Sequence, residues 1–153
     1  MIPLNLPSFD IKVKDYENKT WIFDILRKKY VVLTPEEWVR QHFINLLITQ
    51  FNYPKSLIKC ESGLSYNKLR KRSDIVVYNR EAIPFLLIEC KAPEVKITDA
   101  VFKQAATYNF VLKAPYFVVT NGINTFCCIV NHDTKEVGYV NGLPAFPENS
   151  STP

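Results

Sequence analysis

Two apolar, β-branched runs separated by five residues constrain this chain more than any other feature. The first is Ser73–Asp74–Ile75–Val76–Val77–Tyr78, and the second is Pro84–Phe85–Leu86–Leu87–Ile88–Glu89–Cys90–Lys91. The segment Asn79–Arg80–Glu81–Ala82–Ile83 between them suits a hairpin connection. Alternate residues of a strand share a face, so Glu89 and Lys91 point one way and Cys90 the other. If the runs pair antiparallel, the start of the first meets the end of the second. Asp74 then arrives beside Glu89 and Lys91, which gathers two carboxylates and one amine at the end of a hydrophobic hairpin.

That set meets the needs of metal-assisted phosphodiester hydrolysis. Mg²⁺ takes oxygen ligands in octahedral geometry, typically one or two carboxylates with water and substrate phosphate. Asp74 and Glu89 supply the carboxylates, and the backbone carbonyl of Cys90 a third ligand. Mn²⁺ would substitute. Lys91 stands where it could orient the attacking water or offset charge on the phosphorane. The plainer reading is a strand end at which Lys91 neutralises two acids in a surface salt bridge.

Charge placement bears on the substrate. The net charge of +4 says little, but Lys68, Arg70, Lys71 and Arg72 lie directly ahead of Asp74, and Arg27–Lys28–Lys29 adds three cations. Cations beside a carboxylate cluster favour a polyanion, with DNA the leading candidate and RNA not separated from it by charge. A solvated basic loop is the alternative. With 153 residues, 47% hydrophobic, the chain holds enough apolar material for one core. No window approaches the roughly 18 apolar residues of a membrane span, and the first residues lack the pattern of a secretory signal, so a cytoplasmic location without membrane contact is expected. Cys60, Cys90, Cys127 and Cys128 include no C-x-x-C pair, and His42 and His132 are far apart, which argues against zinc and for reduced, mostly buried thiols.

The remaining elements follow from local chemistry. Residues 1–19 read as a surface arm, with a short strand at Phe9–Lys14. Thr20–Asp24 and Lys29–Leu33 read as an edge hairpin. Thr34–Pro35–Glu36–Glu37 opens a helix with a hydroxyl cap, proline at the first position and Glu37 at the capping-box position, running to about Gln50. Val39, Phe43, Leu46, Leu47 and Gln50 mark its buried stripe; Glu36 shares that stripe, and Glu37 sits towards Ile44 and Ile48. Either acid could simply complement the helix dipole. Ser56–Glu61 alternates as a strand. A second helix is expected from Asp99 to Lys113, a buried strand at Tyr116–Thr120, a turn at Asn121–Gly122, and strands at Thr125–Val130 and Glu136–Val140. Residues 141–153 read as a loose tail, which leaves 20–140 as the domain. The fold class is mixed α/β, with a central mixed sheet flanked by helices.

With these residues in place, Arg72–Ser73–Asp74–Ile75–Val76–Val77 and Phe85 to Pro93 resemble the PD-(D/E)xK nuclease superfamily, the motif read as Asp74, Glu89 and Lys91. Leu33 to Gln41, which includes Arg40, and Gln104–Ala105–Ala106–Thr107–Tyr108 extend the resemblance to the N-terminal domain of type I restriction enzyme R subunits (HsdR-like) over roughly residues 20–130. The resemblance implies a restriction-endonuclease-like core in αβββαβ order. It also implies that an acid of the first helix, Glu36 or Glu37, supports the metal site, with Gln104 and Tyr108 as its Q-x-x-x-Y motif one turn apart. Gln104 is the better candidate for reaching the site and Tyr108 the more core-like, with Arg40 in support. Ser73 stands where the motif has proline. The sequence contains no G-x-x-x-x-G-K-[ST], so these residues are not expected to drive DNA translocation.

Two functions of different class follow: a Mg²⁺-dependent DNA endonuclease acting alone, as a homodimer or with a protein partner; and a non-catalytic module that holds nucleic acid or protein on the same fold.

Overall fold

A computed structural model describes residues 1–60 and 75–148. Three short strands come first: β1 (Val13–Tyr16), β2 (Lys19–Asp24) and β3 (Lys29–Val32), an antiparallel meander in the order β1-β2-β3. Glu17 and Asn18 both adopt positive φ, 52° and 64°, the backbone that a two-residue hairpin turn requires. This turn fixes Tyr16 opposite Lys19 and sets the first strand later than the expected Phe9–Lys14. At the next turn the buried Asp24 carboxylate accepts the backbone N–H groups of Leu26 and Arg27 at 2.8 and 3.1 Å.

Helix α1 (Pro35–Thr49) begins as its sequence indicates, the Thr34 hydroxyl accepting the Glu37 N–H at 3.0 Å. Its inward face differs from the apolar stripe. Val39, Phe43, Ile44 and Leu47 are buried, but so are Glu37, Arg40, Gln41 and His42, whereas Gln50 is an exposed cap. The expected strand at Ser56–Glu61 is a 3-10 turn at Lys55–Leu57 followed by the two-residue β4 (Ile58–Lys59).

The main sheet continues with β5 (Ile75–Tyr78), β6 (Pro84–Cys90), β7 (Tyr116–Thr120), β8 (Thr125–Asn131) and β9 (Glu136–Val140), in the spatial order β4-β5-β6-β7-β8-β9. Among the described strands only β6 and β7 run parallel, and α2 (Asp99–Leu112) is the crossover that a parallel pair needs. The remaining ladders are antiparallel, so the sheet is mixed. In the β5–β6 hairpin Val76 faces Leu87 and Ile75 faces Ile88. Its connection is held by the Asn79 side chain, which accepts the N–H groups of Glu81 and Ile83, with Ala82 at φ 64°.

The sheet separates two cores. On one face Leu86, Ile88 and Cys90 pack with Val39, Phe43 and Leu47 of α1. On the other, Leu87, Val76 and Phe117 pack with Ala105 and Tyr108 of α2. The segments at either end join this body. Phe146 is buried in the α1-side core, the Tyr53 hydroxyl donates to the Pro144 carbonyl at 2.6 Å, and Leu4 lies over Gly122, whose φ of +83° and lack of a side chain permit that approach. The residues expected as a loose tail therefore contribute a buried ring, which composition alone did not indicate.

Candidate functional site

β6 is buried on both faces along most of its length, and its carboxyl end carries the chemistry. Alternation places Glu89 and Lys91 on the α2 side with Leu87, and Cys90 in the α1-side core. The Lys91 Nζ lies 3.3 Å from the Glu89 Oε2. Glu89 is 4% exposed, whereas the Lys91 side chain reaches further into solvent. Burying a carboxylate is costly unless a cation accompanies it, and Lys91 is that cation. The parallel ladder extends past Cys90, the Lys91 N–H donating to the Thr120 carbonyl at 2.8 Å, so the backbone beneath both groups is held.

Tyr108 approaches from α2. Burial raises its hydroxyl pKa most, the Glu89 carboxylate raises it further, and the Lys91 ammonium opposes both. These couplings bring Tyr108 into the surroundings of the acid–lysine pair. Gln104, one turn earlier, is exposed. Tyr108 is thus both core and neighbour of the pair, and Gln104 is solvent-exposed on the same helix.

A second cluster gathers at the start of α1. Glu37 is buried, Gln41 donates its amide to the Glu37 Oε2 at 2.7 Å, Arg40 pairs with the Glu37 Oε1, and the Arg27 Nη2 lies 3.9 Å from the Glu37 Oε2. Arg27 is itself anchored by its Nε on the Asp24 Oδ2 at 2.5 Å. Glu36, more exposed, meets the Arg40 Nη2 at 3.3 Å. Of the two helix acids, Glu37 is therefore the inward one, contrary to the stripe assignment, and its carboxylate is used by Arg40 and Gln41 instead of closing a capping box. Cys60 at the end of β4 feels the same cluster: burial pushes its thiol up to about 12, Asp24 and Glu37 add to the rise, and Arg27 and Arg40 oppose it.

A groove of about 560 Å³ is lined by residues of the second cluster, Arg27, Glu36, Glu37 and Arg40, together with Ala92 and Glu94, which follow Lys91 in the chain. The loop beyond Lys91 is tied down by the Asn121 side-chain amide, which donates to the Val95 carbonyl at 2.8 Å.

Among the expected residues, Glu89, Lys91 and Tyr108 come together, as do Glu36, Glu37 and Arg40. Asp74, Lys68, Arg70, Lys71 and Arg72 lie outside the described residues. The residue after Asp74, Ile75, pairs with Ile88, the residue before Glu89. Sequence reasoning missed Asp24, Arg27 as an ion-pair partner, and Gln41. The available signal was an Asp–Ile–Leu–Arg turn closing a hairpin, with an Asp placed to accept N–H groups two and three residues on.

No helix of the described residues is long and apolar enough to cross a membrane. No curated protein matches the chain. The family model described as type I restriction enzyme R protein N terminus matches residues 35–144, from the first position of α1 to beyond β9, and the chain belongs to that family.

Proposed function

We propose that this protein is a Mg²⁺-dependent DNA endonuclease of the PD-(D/E)xK type. The observation that carries the reading is the Glu89–Lys91 pair, 3.3 Å apart on one face at the carboxyl end of β6, with the acid buried. The succession α1, β4, β5, β6, α2, β7 supports a restriction-endonuclease-like core, and membership of a restriction-enzyme family supports DNA as the substrate.

Asp74 and Glu89, with the Cys90 carbonyl, would hold the metal. A buried carboxylate with an ammonium beside it is donor chemistry suited to a hard divalent ion. When bound, Mg²⁺ supplies a water of lowered pKa and stabilises charge at phosphorus. Lys91 orients the attacking water while its ammonium hydrogen-bonds to Glu89, and Tyr108 closes the apolar side of the pair. Lys68, Arg70, Lys71 and Arg72 hold backbone phosphates. Glu37 supports the site through Arg40 and Gln41 without serving as a metal ligand, because its oxygens are already engaged by them.

Cleavage of plasmid, single-stranded and branched DNA with Mg²⁺ or Mn²⁺ tests the reading. Lys91→Ala should lose at least ~10²-fold in rate, the usual contribution of one positioned proton-transfer or oxyanion-stabilising group. Equal trace cleavage by wild type and Lys91→Ala would assign the activity to a contaminant and end the proposal. The engaged state of Glu37 favours one second reading, a non-catalytic binding module. Calorimetry separates the two: metal binding abolished in Asp74→Asn and Glu89→Gln supports the enzyme, and no metal binding by wild type supports the module. Competition between DNA and RNA decides the nucleic acid.

A further inference from the structure

Among the described residues the main sheet ends on β9, and β9 differs from β4 at its opposite end and from β1 of the small sheet. β4, at the opposite end, has two residues, and β1 of the small sheet carries Lys14 and Asp15 at its centre. Shortness and central charge are two of the devices that keep edges from pairing. β9 has neither: its middle residues are Val137, Gly138 and Tyr139, and β8 is its only strand partner among the described residues. In an antiparallel ladder alternate residues direct their N–H and C=O groups outward, so the free side of β9 offers an unused template.

The side chains beside that edge are also unusual for a surface. Tyr139 is 72% exposed, Val137 46% and Phe126 37%. Tyr139 and Val137 lie opposite Cys128 and Val130 of β8, on the face covered by α2. There the Phe102 ring of α2 meets Phe126 and Tyr139 edge-on at 5.4 and 5.7 Å. A contiguous aromatic patch thus runs from α2 to the rim of the sheet and stops at the open strand.

We infer that β9 is the contact between two copies of this chain, paired antiparallel about a twofold axis through Gly138. That register is the one in which all five strand residues find partners: Glu136 faces Val140 of the other copy, Val137 faces Tyr139, and Gly138 faces itself. Several features agree with it. It sets the two α2 faces side by side, so the aromatic patches join and each Tyr139 packs on a β-branched Val137, a favoured cross-strand pair. It opposes no like charges, since Lys135 falls opposite Asn141 and Glu136 opposite Val140. It also leaves the axis itself clear, since Gly138 carries no side chain. Counting the described strands, the result is a continuous twelve-stranded sheet with β4 at both ends.

Light scattering coupled to gel filtration, from low to high micromolar protein, should give a mass approaching twice the chain's 17.7 kDa. Tyr139→Lys and Val137→Lys, both at exposed positions, should return the protein to monomer with unchanged circular dichroism. Gly138→Cys adds a geometric readout. A Cβ at Gly138 meets only Ile129 Cγ2 at 3.8 Å, an ordinary contact, so the variant folds. Across the axis the two Cα atoms of a directly opposed pair lie about 4.5–5.5 Å apart, within disulfide range. Mild oxidation should therefore link Gly138→Cys, and not wild type, into a dimer released by dithiothreitol. A wild type that stays monomeric throughout, a dimer indifferent to both lysine substitutions, or a Gly138→Cys variant that links no better than wild type would each overturn the inference.

Discussion

Glu37 is held by one guanidinium in direct contact, by the Gln41 amide at 2.7 Å, and by the more distant Arg27. Breaking a buried ion pair by deleting one partner typically costs about 3–5 kcal/mol, because the other charge is left behind. Arg40 keeps Glu36 at 3.3 Å, so Glu37→Ala is expected at the low end, about 3 kcal/mol by urea unfolding. Replacing both charges, as in Glu37→Met with Arg40→Met, should cost less than the sum of the single changes. His42 makes a different prediction. It lies edge-on to Phe9 and Trp38, and burial lowers its pKa more than its hydrogen bond to the Trp38 carbonyl raises it. The folded state then holds its proton less tightly than the unfolded chain, whose histidine titrates near 6.5. The stability due to neutral His42 is complete above that pH and is lost as the pH falls below it. Urea midpoints at pH 7.5 and 5.5 should therefore diverge more in wild type than in His42→Gln. At this scale the sequence was legible where chemistry is local, as in the Glu89–Lys91 alternation. It was not legible for Glu36 against Glu37, since adjacent helix residues point about 100° apart and only the partners, Arg40, Gln41 and the distant Arg27, decide which one turns inward.

Elements were legible in proportion to how completely their signals were local. The Thr34 cap and Pro35 marked the start of α1, and Thr98 that of α2, because each helix start satisfies its own backbone with residues a few positions away. The buried stripe of α1 was only partly readable: a helix that buries Glu37, Arg40 and Gln41 beside Val39 and Phe43 shows no clean apolar period. β4 is shorter than its sequence suggests because alternation over six residues resembles a strand even where the segment begins with a 3-10 turn. The turn between β7 and β8 shows the opposite, with Asn121–Gly122 sufficient to place it. A side chain at Gly122 would combine a φ of +83° with a 2.8 Å approach to Leu4. Gly122→Ala should lower stability by about 1–3 kcal/mol, and it should loosen residues 1–5, seen as faster hydrogen exchange at Asn5, whose N–H donates to the Gly122 carbonyl.

For the molecule as a whole, the mixed sheet between two helices was foreseen from the order of elements, but the closing of the α1-side core by residues 143–146 was not. Prolines and small polar residues there suggested solvent, and a single Phe146 gives no period to read. Phe146 packs edge-on to Tyr53 and Phe85, so Phe146→Ala should cost about 3–5 kcal/mol by thermal or urea unfolding. The thiols report the same closure. Cys60 is pushed up to about 12 and Cys127 and Cys128 to about 11, each chiefly by burial, while Cys90 is fully buried. The native protein should be nearly inert to a thiol reagent at pH 8, and all four cysteines should react once urea unfolds it. The position of Phe146 also has a temporal meaning. During synthesis the chain emerges from its N-terminus, and β5, β6 and α1 are outside the ribosome well before the ring that seals them. Until residue 146 clears the exit tunnel, Tyr53 and Phe85 meet each other, and Phe85 meets Tyr116, but both lack the Phe146 ring, so closure of the α1-side core is expected to follow the emergence of this segment.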